Sequence, residues 1–107
     1  MIDFFQGDII RVSGYKDNYM IVSRNAFIRA TNVFHISPVL NCPEGPTHIH
    51  IIGNNGIDGT VMCEQIKLID PSVRSCSRVD RVPYRMIMEV SDVIQGIFEY
   101  DLSLIHI

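Results

Sequence analysis

The chain has few cysteines and no long apolar run. Cys42, Cys63 and Cys76 stand at no metal-ligand spacing. An odd count in so short a chain argues against a secreted disulfide scaffold and predicts reduced thiols in a cytoplasmic protein. No apolar stretch approaches the ~20 residues that span a bilayer, so no membrane association is expected. The opening Met1-Ile2-Asp3-Phe4-Phe5 puts an acid, not a base, ahead of its apolar residues, unlike a signal peptide. Cofactor motifs are missing as well: there is no P-loop, GxGxxG, HExxH or CxxC, and no cofactor or metal is expected. Lys and Arg are absent between residues 30 and 66. The net charge of −3 excludes a uniformly basic nucleic-acid binder but leaves room for local basic patches.

What is present amounts to one domain. The chain has 107 residues, of which 47% are apolar and 20% charged, enough for a real core and too little charge for a disordered tail. Its charge is segregated. Arg11, Lys16, Arg24 and Arg29 lie early, Arg74, Arg78, Arg81 and Arg85 lie together, and Glu89, Asp92, Glu99 and Asp101 follow. The arginine run is either a solvated surface with internal pairing or a phosphate-facing patch. Three of the four histidines fall in the base-free middle.

Residues 9–13 and 19–23 read as strands, the second apolar enough to be buried on both faces. Residues 26–30 fit one helical turn or a bulge. Residues 32–40 form a β-branched run, with Pro38 expected at an edge or bulge. Residues 41–46 are a loop. Thr47-His48-Ile49-His50-Ile51-Ile52 alternates with the strand period, and Asn-Gly and Asp-Gly within 53–59 predict a hairpin turn. Residues 60–69 are strand-like. From Pro83, apolar residues recur at helical spacing, so that Met86, Val90, Ile94 and Ile97 should face a core. Asp80 is a possible cap and Pro83 suits the first turn. The apolar tail 102–107 suits an edge strand or core cover. Five or six short strands followed by one amphipathic helix predict a mainly β fold, a small bent sheet or barrel closed by a C-terminal helix.

Histidine, serine and carboxylate residues are the chemical resource. Cleaving RNA through its own 2′-hydroxyl needs a base, an acid for the departing 5′-oxygen, and a donor or cation for the phosphorane. His35, His48 and His50 lie on what read as adjacent strands, with Ser37 on the face of His35. His48 and His50 as metal ligands lack an accompanying Cys pair or carboxylate. Glu64, flanked by Met62, Cys63 and Ile66, reads as a carboxylate in an apolar strand, which must find a structural partner or serve as a base.

The order of motifs resembles the MazF/PemK family of bacterial toxin ribonucleases, over nearly the whole chain. Gln6-Gly7-Asp8-Ile9-Ile10 is similar to its opening strand, and Tyr19 to Asn25 to its second. Pro46-Thr47-His48-Ile49 resembles a PTHV segment, and Asp58 to Asp70, with Glu64-Gln65 at its centre, resembles the family's most specific block. The resemblance implies an SH3-like small barrel of the PemK/CcdB-like type. It also implies a homodimer whose groove binds single-stranded RNA, metal-independent cleavage at short sequences, and a cognate antitoxin protein as partner. Carried over by position, Ser37 matches a hydroxyl, Glu64 an acid, Gln65 an amide and His48 the histidine of PTH. Asn18, followed by Tyr19, falls where the family has arginine followed by proline. Asparagine donates hydrogen bonds without carrying charge, so Lys16 or Arg24 is expected to supply a cation and touch RNA. The expected catalytic set is Ser37, Asn18, Glu64 and His48, with Lys16, Arg24 and Gln65 binding RNA. Loops 14–18 and 41–46 would set base preference. A family member that only binds RNA or antitoxin, or a CcdB-like gyrase poison, are the alternatives.

Overall fold

The computed structural model describes residues 3–101, so the tail 102–107 lies outside the described residues. Seven strands and two helices follow in the order β1 (Asp8–Val12), β2 (Asn18–Ile21), α1 (Asn25–Thr31), β3 (Phe34–Leu40), β4 (His48–Ile52), β5 (Asp58–Met62), β6 (Lys67–Ile69), β7 (Cys76–Arg81) and α2 (Tyr84–Ile97). All pairings are antiparallel, in the order β4-β5-β3-β2-β1-β7, with β6 also on β3. The mainly β fold with a C-terminal helix agrees with the sequence pattern.

Alternation along each strand builds a core on each face of the sheet. On one face Ile9, Met20, Val39, Ile51, Val61 and Val90 are buried together, with Met86, Ile87, Val93 and Ile94 of α2 against them. On the other, Ile10, Val12, Tyr19, Ile21, Phe34 and Ile36 pack with Ile28 of α1 and Phe4 of the N-terminal segment. Tyr19, Met20 and Ile21 are all buried, which explains their uninterrupted apolar run. The segment 26–30 is helical, and α1 ends on Asn32, whose left-handed backbone (φ 59°) lets its N–H reach the Ile28 carbonyl.

Several expectations are corrected. Pro38 lies within the central strand β3, opposite Tyr19. It is tolerated because β6 pairs with Phe34–Ile36 and β5 with Val39–Leu40, leaving residues 37 and 38 without a neighbour on that side. Residues 60–69 are not one strand: a turn at 63–66 separates β5 from β6. Ile97 is exposed, since the buried stripe of α2 ends at Ile94. Pro83, not Asp80, precedes the first helical residue.

Asp80 instead closes the sheet. Only 2% exposed, it accepts hydrogen bonds from the N–H groups of Arg81 (2.7 Å), Asn55 (2.8 Å) and Ile57 (2.9 Å). The Asn54 N–H reaches the Arg81 carbonyl, 2.8 Å away. The β4–β5 hairpin turn, at one end of the strand order, is thereby fastened to β7 at the other. Burial alone would raise the Asp80 pKa, but the N–H groups of Ile57, Asn55 and Arg81 outweigh it and hold the carboxyl below its usual range. Gly53 is required here because a Cβ would land inside the Asp80 carboxylate.

The arginine run is largely paired internally, chiefly with a distant acid. Fully buried Asp8 accepts from Arg81 Nε at 2.7 Å, from the Phe5 N–H at 2.9 Å, and more loosely from Arg78 at 3.4 Å. Arg85 reaches Glu89 at 3.7 Å within α2.

Candidate functional site

Four polar side chains converge where β4 begins and the β5–β6 turn passes it. The backbone sets this up: the Cys63 N–H donates to the Thr47 carbonyl at 3.0 Å, and His48 pairs with Met62. Glu64 therefore turns outward beside β4 rather than entering the core, and its side chain is 37% exposed. Its carboxylate accepts from the Thr47 hydroxyl at 2.7 Å, from Gln65 Nε2 at 3.3 Å, and faces His48 Nε2 at 3.1 Å. Glu64 is thus a solvent-facing carboxylate with three partners, correcting the reading of a charge in an apolar strand.

Chemically this is an oriented histidine. The Thr47 hydroxyl first of all, joined by a backbone N–H and the His48 and Gln65 hydrogen bonds, lowers the Glu64 pKa from 4.5 to about 2, against the opposing effect of burial. At neutral pH Glu64 is an anionic acceptor and a poor proton acceptor in catalysis. Held through Nε2–H, His48 presents Nδ1, which makes no hydrogen bond among the described residues. A carboxylate that fixes a histidine tautomer while the other nitrogen stays free is the usual geometry of a general base.

The sign of the pH dependence follows. The folded pKa is depressed, so the stabilisation from the Glu64 cluster is complete above pH 4.5 and disappears as the pH falls through about 2. Carboxyl-carbon NMR should give Glu64 a midpoint near 2. Thr47→Ala should move it upward, and an unmoved midpoint in that variant would refute the hydroxyl as the leading cause.

The other expected residues are distributed differently. Asn18 opens β2, half-buried, opposite Val39 of β3 and Arg11 of β1. Lys16 is in the preceding loop, and its carbonyl accepts from Arg11 Nη1 at 2.8 Å. Arg24 caps α1 and, with Gln6, Val22, Ser91, Ile94 and Gln95, borders a small cleft beside α2. Ser37 is opposite Met20 and fully buried. Its Oγ is the buried side-chain polar atom left without a hydrogen bond among the described residues. His35 does not join the other histidines. Strand β5 lies between β3 and β4, and His35 Nδ1 is engaged by the Ser23 hydroxyl at 2.8 Å. His50, on the outward face with His48, pairs with Asp58.

Two groups escaped sequence reading. Arg11 meets Asn18 across the β1–β2 pair, with Nη1 3.4 Å from Oδ1. Lys67 and Arg74 both lie over the Tyr15 ring, at 4.9 and 4.8 Å from its centroid. A lone arginine in an apolar strand gives no signal until its register is known. Cys63 is a buried thiol whose pKa burial, and then the Glu64 charge, push up to about 11, which makes it unreactive. Among the described residues no three His, Cys, Asp or Glu side chains gather as a metal site, and no helix is long and apolar enough to cross a membrane.

A seven-stranded antiparallel sheet closed by a C-terminal helix and bearing an oriented histidine defines the class as a small, mainly β fold. The particular likeness is to MazF: the chain has the MazF fold. A chain of the MazE-MazF structure from Deinococcus radiodurans superposes with a TM-score of 0.75 at 17% identity, covering 89% of this chain and 97% of that one. An endoribonuclease in complex with its cognate antitoxin from a mycobacterial species gives 0.71 at 18%, over 92% and 100%. An endoribonuclease from a mycobacterial species gives 0.73 at 17%, over 90% and 91%. No family model and no curated relative matches the sequence.

Proposed function

We propose that this protein is an endoribonuclease toxin of the MazF/PemK family, working in the cytoplasm, cleaving single-stranded RNA without metal at short sequences, and held in check by a cognate antitoxin. The observation that carries this reading is the exposed Thr47-His48-Glu64-Gln65 cluster, an oriented base on a fold shared over nearly its whole length with endoribonucleases. Fold alone would not carry it, because one fold hosts many activities.

In this reading His48 Nδ1 takes the proton of the 2′-hydroxyl. The 2′-oxygen attacks phosphorus, the P–O5′ bond breaks, and the 5′-oxygen leaves taking a proton from solvent water, while the proton on His48 is returned to solvent. The products are a 2′,3′-cyclic phosphate and a 5′-hydroxyl. Glu64 orients His48, and Gln65 holds Glu64 while presenting its amide to a base edge. Asn18 donates to the phosphate. Ser37 lies on the Asn18 face of the sheet, opposite Met20, and serves as a positioning hydroxyl beneath the Asn18 end of the RNA path. Its unpartnered Oγ supports a functional rather than structural reason for serine there. Lys16 and Arg24 contribute phosphate contacts, and two copies of the chain form the groove.

The deciding experiment maps new RNA 5′ ends after expression in a bacterial host and repeats cleavage with purified wild type and Ser37→Ala. Cleavage by wild type is expected in chelator. Ser37→Ala should keep the wild-type melting temperature, since no hydrogen bond is lost, and should cleave more slowly. Equal cleavage by the two removes Ser37 from the mechanism. Intact RNA with wild type sinks the ribonuclease reading, and accumulated cleaved DNA complexes would then indicate a topoisomerase poison.

A further inference from the structure

Breaking a P–O5′ bond leaves an alkoxide, and a proton given to it in the transition state lowers the barrier. His48 cannot give that proton while it is taking the one on the 2′-hydroxyl. A second proton carrier has to stand close by on the same surface. His50 does. It shares the outward face of β4 with His48, because Ile49 and Ile51 turn into the core. Two residues along a strand span roughly 6–7 Å. Two rings at that separation can reach the entering and leaving oxygens of one phosphate through hydrogen bonds of about 3 Å.

Strand register builds the same device twice. His48 lies opposite Met62 of β5, and His50 lies opposite Thr60. Glu64, two residues after Met62, accepts from His48 Nε2, and Asp58, two residues before Thr60, accepts from His50 Nε2. The two carboxylates therefore lie toward opposite ends of the pair, and the stretch between the histidines is clear of both. His50 Nδ1, like His48 Nδ1, makes no hydrogen bond among the described residues. The two devices differ in charge and exposure. Glu44 also borders His50, its Oε1 accepting from the His50 backbone N–H at 3.2 Å. Asp58 and Glu44 thus offer counter-charge to an imidazolium at His50, where His48 has Glu64 alone. The His50 side chain is 41% exposed against 33% for His48, so water can recharge it.

We infer that His50 is a second catalytic residue, the general acid through which a solvent proton reaches the leaving 5′-oxygen. With Nε2–H held by Asp58, Nδ1 takes a proton from water and gives it up as the P–O5′ bond breaks. The electron pair of that bond stays on the 5′-oxygen, which becomes the 5′-hydroxyl. His50 is left neutral and His48 protonated, and exchange with water restores both. Asp58 is the positioning residue for this acid, as Glu64 is for the base. The inference rests on the ribonuclease reading, and the test separates the two.

Two RNAs carrying the site found by 5′-end mapping are compared. One is ordinary, and the other has sulfur in place of the scissile 5′-oxygen, so that a thiolate leaves without needing a proton. Wild type, His50→Ala and His48→Ala are assayed on both, with melting temperatures checked. On ordinary RNA His50→Ala should lose about 100-fold in kcat, the lower end for general acid–base catalysis, since water remains a slow proton source. On the sulfur RNA it should come within about threefold of wild type, because no acid is required there, while His48→Ala stays slow on both. Asp58→Asn should lose less than His50→Ala on ordinary RNA and should also recover on the sulfur RNA. If His50→Ala melts early, His50→Gln, which keeps a donor for Asp58 but no acidic proton, is scored in its place. A folded variant that cuts ordinary RNA like wild type, or that is equally slow on both RNAs, overturns the inference, as does recovery of His48→Ala instead. If wild type leaves both RNAs intact, the ribonuclease reading itself is rejected and the acid falls with it.

Discussion

Val90→Asp is expected to abolish the native state. Val90 is 1% exposed at the centre of α2, packed where Met86, Ile87, Val93 and Ile94 meet Ile9, Met20 and Val61 of the sheet. An aspartate there would put an unpaired charge into a core with no donor to receive it, at a cost of about 3–5 kcal/mol. The loss of packing adds to that, against a total stability of about 5–15 kcal/mol for a domain. Circular dichroism should show loss of the cooperative thermal transition. Ile97→Asp is the control on the same helix. Its site is exposed, so the melting temperature should change by no more than a few degrees. Equal damage from both substitutions would contradict the placement of the helix; a Val90→Asp protein melting like wild type would do the same.

His48→Ala is expected to have the largest effect on activity, a loss of about a hundred- to ten-thousand-fold in RNA cleavage, the span usual for removing a positioned general base. Folding should survive, because His48 lies on an outward strand face with its side chain 33% exposed. Its removal leaves Glu64 with the Thr47 and Gln65 hydrogen bonds and access to water. Glu64→Gln should cost less than His48→Ala, since the orienting group is weakened while the base stays. If His48→Ala cleaves as fast as wild type, the base lies elsewhere and the proton must be taken by another group. If Glu64→Gln is worse than His48→Ala, the carboxylate does more than orient.

These two predictions rest on features of unequal legibility. The stripe of α2 is written locally, since Met86, Val90 and Ile94 recur at the helical period and any packed helix must bury them. Thr47 to Ile52 and the Asn-Gly and Asp-Gly turn are equally local, and β4 and β5 follow. Strand β7 escaped sequence reading because it inverts the pattern: Val79 is exposed while Asp80 is buried. That inversion makes sense only once the 53–57 turn, far earlier in the chain, lays two N–H groups against Asp80. Arg78 and Arg81 looked like part of a surface charge run, and their partner Asp8 lies about seventy residues away in sequence.

The sequence by itself determined the fold class, the C-terminal helix, the hairpin, and His48 and Glu64 as places to look. Periodicity and turn chemistry act over a few residues, and those features need no more range than that. Tertiary structure decided what each polar residue touches. It turned Glu64 out of the core into the reach of His48, tied His35 to Ser23, buried Ser37 without a partner, and set Arg11 opposite Asn18. Hydrogen bonds act only over about 3 Å. Which charges and donors meet therefore depends on strand register and on the turns between strands, neither of which a linear pattern of residue types contains.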